Sequence, residues 1–280
     1  MEIMADSLLT GKNAPLIMGI INCTPDSFYS GSRAETLGKA LKRAETMISE
    51  GADILDIGGE STRPGSDYVD EEEELQRVIP VIRWIREISS IPISIDTRKS
   101  AVAREAIENG ADIINDISGL GSDPKLGVFA AEAEVPVILM HMRGNPKTMQ
   151  EKPYYRNTVK EIKKELREIV KRAVHTGVRK SSIILDPGIG FGKRVEDNLR
   201  IIRGIPELKK MGYPLLIGLS RKSFISRALG QGKDLPAEDR LTGSIAAHAY
   251  AVIVGADILR VHDVKETRDC IKMICAIREV

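Results

Sequence analysis

Short runs of Ile, Val and Leu recur along the chain and alternate with longer stretches whose apolar residues return every three or four positions. This is the pattern of strands buried on both faces exchanging with amphipathic helices. The strand-like runs are Leu16 to Ile21, Ile54 to Ile57, Ile91 to Ile95, Ile113 to Asn115, Val135 to Met140, Ile183 to Leu185, Pro214 to Leu219 and Ile258 to Val261. Helical periodicity runs through Leu37 to Ser49, Glu73 to Ile88, Ala101 to Asn109, Val159 to Thr176 and Ala246 to Gly255. About eight strand–helix units in about 250 residues is the arithmetic of one α/β fold, the (β/α)8 or TIM barrel.

A near-identical word occurs three times, as Gly51-Ala52-Asp53-Ile54, Gly110-Ala111-Asp112-Ile113 and Gly255-Ala256-Asp257-Ile258. Each closes a helix and opens a strand, with Gly taking the left-handed turn that ends the helix. Three copies predict three equivalent corners on the lower face of one barrel. No Pro/Gly/Ser linker divides the chain, and the breaker-rich stretches 144–157 and 230–238 are short enough to be barrel loops. The expectation is a single domain over 1–280, with 1–14 as an N-terminal extension.

A barrel of this kind carries its chemistry at the C-terminal strand ends, so the polar residue that breaks each apolar run is informative. Asn22 follows the first run, Asp56 and then Glu60-Ser61-Thr62-Arg63 the second, Asp96 the third, and Asn115 with Asp116 the fourth. His141 follows the fifth, Asp186 the sixth, Ser220-Arg221-Lys222-Ser223 the seventh, and Arg260 with His262 the eighth. An inert structural barrel does not need a charged or hydrogen-bonding group at every exit; a pocket for a polar, partly anionic ligand does. Asp96, Asn115 and Asp186 suit the amidine-like edge of a flat heterocycle such as a pterin. Asn22, Arg63, Arg260 and His262 add donors, arginine with a planar fork that matches the oxygens of a diphosphate. Arg260 and His262, two residues apart, share one strand face. Ser220 to Ser223 precede apolar residues at helical spacing, so a helix is expected to open there, its N–H groups and Lys222 facing a carboxylate or phosphate.

Composition narrows the partners. Of 280 residues 42% are hydrophobic, ample for a sizeable core, and 41 Lys+Arg against 40 Asp+Glu leave a formal charge of only +1. Without a basic run, nucleic acid is not an expected partner. Cys23, Cys270 and Cys275 are odd in number and lack metal-ligand spacing, which fits a reducing cytoplasm and no zinc site. The first residues do not read as a signal peptide, and no apolar stretch is long enough to span a membrane.

The words themselves resemble a family. Met18-Gly19-Ile20-Ile21-Asn22-Cys23-Thr24-Pro25-Asp26-Ser27-Phe28, Asp56-Ile57-Gly58-Gly59-Glu60-Ser61-Thr62-Arg63-Pro64-Gly65 and Ser94-Ile95-Asp96-Thr97 are similar to dihydropteroate synthases of folate biosynthesis. So are Asn115-Asp116-Ile117, Leu139-Met140-His141-Met142-Arg143-Gly144-Asn145-Pro146, Leu185-Asp186-Pro187-Gly188-Ile189-Gly190-Phe191-Gly192-Lys193, Ser220-Arg221-Lys222-Ser223 and Arg260-Val261-His262-Asp263-Val264, in order over nearly the whole chain. Cys23 stands where the family often has Val. The resemblance implies a transferase that condenses 6-hydroxymethyl-7,8-dihydropterin diphosphate with 4-aminobenzoate, giving 7,8-dihydropteroate and diphosphate. By carry-over Asp96, Asn115, Asp186 and Lys222 bind the pterin. Asn22 with Mg2+, and Arg63, Arg260 and His262, hold the diphosphate. Thr62, Pro64, Phe28, Phe191 and Ser223 surround the aminobenzoate, and the catalytic set is Asp96, Lys222, Arg260 and His262. The resemblance further implies loops over 24–33 and 59–67, sulfonamides as aminobenzoate mimics, and a homodimer packed through barrel helices away from the mouth.

Other readings compete at single positions. Asp96 could cap a helix opening near Lys99, His141 between two methionines reads as a satisfied group outside the site, and Glu71 to Glu74 as a solvated first helical turn. Pro187 to Lys193 is a glycine-rich loop that fails the nucleotide-loop template, because Arg194 and not Ser/Thr follows Lys193. A methyltetrahydrofolate-binding corrinoid methyltransferase domain would share the pterin-gripping Asp and Asn but needs no diphosphate site. A non-catalytic pterin-binding paralogue would be expected to lose part of the anion cluster, whereas Asn22, Thr62, Arg63, Lys222, Arg260 and His262 are all present.

Overall fold

The computed structural model describes residues 8, 14–24, 33–61, 66, 68–144, 148–151, 153–230 and 235–280. Eight parallel strands, β1 (Leu16–Asn22), β2 (Ile54–Gly58), β3 (Ile93–Asp96), β4 (Ile113–Asp116), β5 (Val137–Met140), β6 (Ile183–Asp186), β7 (Leu216–Ile217) and β8 (Ile258–Val261), form one sheet in the order β6-β5-β4-β3-β2-β1-β8-β7. Leu185 of β6 bridges Leu215 just ahead of β7, which joins the two ends into a barrel. Around it run α1 (Arg33–Ser49), α2 (Glu71–Ile88), α3 (Ser100–Glu108), α4 (Pro124–Glu132), α5 (Thr158–His175), α6 (Val195–Arg203), α7 (Ile205–Lys209), α8 (Ser223–Leu229), α9 (Leu241–Ile253) and α10 (Val264–Arg278). The predicted strands are all present; β7 keeps only two residues of its run in the ladder. No helix among the described residues is long and apolar enough to cross a membrane.

The continuous apolar runs are explained by two separate cores. Outward strand residues such as Ile17, Leu55, Ile95, Leu139 and Leu259 join the helices in a large outer cluster. Leu16, Met18, Ile54, Ile113, Ile138, Ile184, Leu216 and Ile258 form a second cluster inside the barrel. A strand that feeds both cannot alternate apolar with polar, and the inner cluster plugs the barrel floor.

The repeated words form equivalent corners, as the sequence predicts. Gly51, Gly110 and Gly255 all have φ near or above +90°, where a side chain would be strained. The Asp that follows brackets the neighbouring strand. Asp53 Oδ2 accepts from Ile17 N at 2.8 Å, Asp112 Oδ2 from Ile93 N at 2.8 Å and Asp257 Oδ2 from Leu215 N at 2.7 Å. Each Asp N–H donates back to the carbonyl of the same residue. Arg268, Arg86 and Lys209 respectively neutralise these carboxylates. The corner word thus sets strand register at the lower end and leaves the upper end for chemistry.

Candidate active site

Strand parity decides which side chains enter the barrel. The inner apolar cluster contains residues 18, 54, 113, 184, 216 and 258, so residues two further along each strand point the same way. Those are Ile20, Asp56, Asn115, Asp186, Gly218 and Arg260, with Asn22 and His262 one step higher. Parallel register sets Asp96 of β3 beside Gly58 and Asn115. The upper interior is therefore polar because the sequence switches residue type, at constant parity, above the apolar floor.

Arg260 sits at the centre of this layer. Its Nε donates to Asp56 Oδ2 at 2.5 Å and its Nη2 to Asp96 Oδ2 at 2.6 Å. Asn115 Nδ2 donates to the Asp56 carboxylate at 3.2 and 3.3 Å. Asp186 Oδ1 accepts from Gly188 N at 2.7 Å, and Lys222 Nζ donates to the Ile189 carbonyl and lies 4.8 Å from the Phe191 ring centroid. His262 meets Ser220 Oγ through Nδ1 at 3.0 Å and through its own N–H at 3.1 Å. Burial pushes the Asp96 carboxyl up to about 7, against the pull of Arg260. It raises Asp186 as well, with Lys222 opposing. Burial draws the Lys222 ammonium down to about 8, Asp186 opposing and Arg260 adding to the fall. It also works against the Arg260 charge, but Asp56 and Asp96 overcome it and hold that group above the ordinary arginine range.

These groups surround one cavity of about 790 Å³, whose lining includes Asn22, Glu60, Ser61, Asp96, Phe191, Lys222, Ser223, Arg260 and His262. Asn115 and Asp186 are buried on the same inward strand parity. Asn22 is half-buried there, at the end of β1. Among the described residues no three His, Cys, Asp or Glu converge on a metal position. The Asn22 side-chain amide at the end of β1 offers an oxygen donor of the kind a hard cation such as Mg2+ accepts. Thr62, Arg63, Pro64 and Phe28 lie outside the described residues, as do most of the N-terminal extension and of loop 24–33. Cys23 is buried in the outer apolar cluster at the exit of β1, and burial pushes its thiol up to about 12, which disfavours the thiolate.

Several single-residue expectations change. The helix expected at the Ser220 to Ser223 word opens at Ser223, with Lys222 as its N-cap, while Ser220 turns to His262 and Arg221 takes a left-handed φ of 57° to reach Asp263. The capping reading of Asp96 fails: α3 opens at Ser100, whose N–H is taken by Asp123 Oδ2 at 2.8 Å. Glu74 corrects the solvated-turn reading of Glu71 to Glu74. It is fully buried and ion-paired to Lys99, itself 3.1 Å from Glu60, because α2 turns it under the root of the β2 loop. Asp56 is the main residue missing from the sequence-based site. Its signal was a carboxylate inside an apolar strand word, on the inward parity.

The match to a model of the family described as pterin binding enzyme covers residues 18–262. A dihydropteroate synthase of Synechocystis sp. is 47% identical over 93% of this chain and 89% of its own length. The structure of a Xanthomonas albilineans dihydropteroate synthase with 4-aminobenzoic acid aligns with TM-score 0.89 at 42% identity, over 96% of this chain and 94% of that one. A Yersinia pestis dihydropteroate synthase in complex with a sulfonamide drug aligns with TM-score 0.90 at 41% identity, over 97% and 98% of the two chains.

Proposed function

This chain belongs to the pterin-binding enzyme family, among its dihydropteroate synthases, and on that premise we propose how its residues divide the reaction. The enzyme joins 6-hydroxymethyl-7,8-dihydropterin diphosphate to 4-aminobenzoate and releases diphosphate. The observation that carries the assignment of roles is the Arg260 fork on Asp56 and Asp96, in one cavity with Lys222, Phe191, Ser223 and His262. Asp96, Asn115, Asp186 and Lys222 take the pterin. Arg63, Arg260, His262 and Asn22 take the diphosphate, and Thr62, Phe191 and Ser223 take the aminobenzoate.

An aryl amine is a weak nucleophile, so the favoured path breaks the methylene C–O bond first, the electron pair leaving with the diphosphate. The amine lone pair then forms the C–N bond, with loss of one amine proton. Asp96 and Asp186 stabilise positive charge spreading into the heterocycle, while Arg63, Arg260 and His262 stabilise charge on the leaving group. Mg2+ held through Asn22 supplies further charge neutralisation on the diphosphate when bound. The direct test is diphosphate release by the purified protein with the pterin diphosphate, Mg2+ and a panel of arylamines. Release should depend on 4-aminobenzoate and be competed by a sulfonamide. No release from folded protein overturns this assignment, tight pterin diphosphate binding without turnover points to a binding protein, and methyl transfer to a corrinoid points to the methyltransferase alternative.

Lys222 sets an expected alkaline limit. With its ammonium drawn down to about 8 by burial, kcat/KM for the pterin diphosphate falls as pH rises through that value, because the free enzyme loses the charge that binds substrate. Lys222→Arg keeps a cation at all accessible pH and removes this limb, whatever its absolute rate. A pH–rate profile of both proteins checks it.

A cytoplasmic homodimer fits the remaining surface. Tyr250 and Ile253 on α9, and Met273 and Ile277 on α10, expose 44%, 60%, 62% and 65% of their area on helices that pack together. Large apolar groups gathered on neighbouring helices mark an association surface. Met273→Lys combined with Ile277→Glu should convert the dimer to a monomer in light scattering; an unchanged dimer mass would place the contact elsewhere.

A further inference from the structure

Lys193 has no part in the chemistry above, yet it is the least exposed lysine among the described residues, at 3%. Its three ammonium hydrogens meet three acceptors: the Phe191 carbonyl at 2.8 Å, His141 Nδ1 at 3.1 Å and the His141 carbonyl at 3.3 Å. His141 Nε2 lies 2.8 Å from Glu165 Oε2. A carboxylate only accepts, so Nε2 carries the ring proton and Nδ1 turns its lone pair to Lys193. Burial, helped by Lys193, draws His141 down to about 4, consistent with a neutral ring. Arg143 Nε holds both Glu165 oxygens at 3.1 Å. One hydrogen-bonded chain therefore runs from α5 through the exit of β5 to the loop between β6 and α6.

That loop lies flat on the β5 exit. At Gly188, φ +67°, an added Cβ would fall 1.9 Å from the His141 carbonyl oxygen, and at Gly192, φ +60°, 2.7 Å from that of Arg143. Phe191 stands between the two. Lys222 holds the cavity side of the loop through the Ile189 carbonyl, and Lys193 holds Phe191 itself. Even as a neutral amine Lys193 retains two N–H groups, so this grip does not depend on its charge.

We propose that Lys193 is a positioning residue for the arylamine: by fixing the Phe191 carbonyl to the β5 exit it sets the Phe191 ring as the wall of the arylamine pocket. The proposal rests on the functional assignment above. In Lys193→Met, which keeps the stem and loses the donors, KM for 4-aminobenzoate should rise about tenfold while kcat and KM for the pterin diphosphate stay within about twofold. Phe191→Ala should raise the same KM, and Lys193→Met should add less than about twofold in the Phe191→Ala background, since both act through one ring. Amide hydrogen exchange gives a readout without turnover: residues 188–192 should exchange about tenfold faster in Lys193→Met, with strand β6 unchanged. If that variant does not fold, Glu165→Gln weakens the same chain from its more exposed end and should shift both readouts in the same direction. A parallel loss in kcat and both KM values, unchanged loop exchange, or a lowered Tm with unaltered kinetics each overturns the proposal. Absence of any diphosphate release in the wild type sinks the functional assignment instead, and the exchange measurement still decides whether Lys193 holds the loop.

Discussion

Asp96→Asn lowers diphosphate release at saturating substrate by about 10²–10³-fold, the loss that follows when one preorganised group facing developing charge is removed. Asp96 is the inward residue at the tip of β3, buried and 2.6 Å from the Arg260 guanidinium. On the proposed path positive charge spreads into the ring beside it as the C–O bond breaks, and a carboxylate stabilises that charge where an amide of the same shape does not. Because Asn keeps hydrogen-bonding capacity, binding of the pterin diphosphate falls less than kcat. The wild type adds a pH signature. With burial pushing the Asp96 carboxyl up to about 7 in the free protein, acidification through that value neutralises the group and kcat/KM falls; the Asn variant loses this limb. A wild-type rate in Asp96→Asn would remove charge stabilisation by this carboxylate from the mechanism.

Arg260→Met has the largest expected effect on stability, about 3–5 kcal/mol, because breaking a buried ion pair from one side leaves charge uncompensated. Here two carboxylates, Asp56 and Asp96, share the one guanidinium at 2.5 and 2.6 Å. The pH dependence has a definite sign. The folded Asp96 carboxyl already lies above its unfolded value of about 3.9, and losing Arg260 raises it further. The folded state then keeps a proton that the unfolded chain has shed, so the stability linked to that proton is complete below about pH 4 and is lost as pH rises through the variant's folded value, which lies above the wild type's value of about 7. The variant should be least destabilised at mildly acid pH and most destabilised above neutrality. Arg260→Lys should lie between, keeping the charge but losing the fork that spans both acids. Urea unfolding at acid and alkaline pH measures this, and equal stability of wild type and Arg260→Met above neutrality would mean that another group compensates the pair.

Much of this site was legible because its signals are local. A carboxylate closing Ile93-Ser94-Ile95-Asp96, or Arg260 and His262 two apart on a run of apolar residues, declares a strand end and a face within a few positions. The corner words were readable for the same reason, since a left-handed glycine and the Asp that follows it act on adjacent backbone. Asp56 was visible as a polar strand residue but not as the partner of Arg260, and Glu74 looked solvated because three of its helix neighbours are acidic and lie on or near the surface. Lys193 read as the end of a glycine loop; its partners His141 and Glu165 come from other elements.

Residue periodicity by itself determined that the chain is a cylinder of alternating strands and helices with a polar upper rim, because period and turn chemistry are properties of neighbouring residues. Only the tertiary structure decided which rim groups meet. Asp56 and Asp96 are 204 and 164 residues from the arginine they share. That encounter depends on β8 lying beside β1 in a fixed register and on the closure of β6 against the start of β7, both long-range consequences of packing that no local pattern encodes.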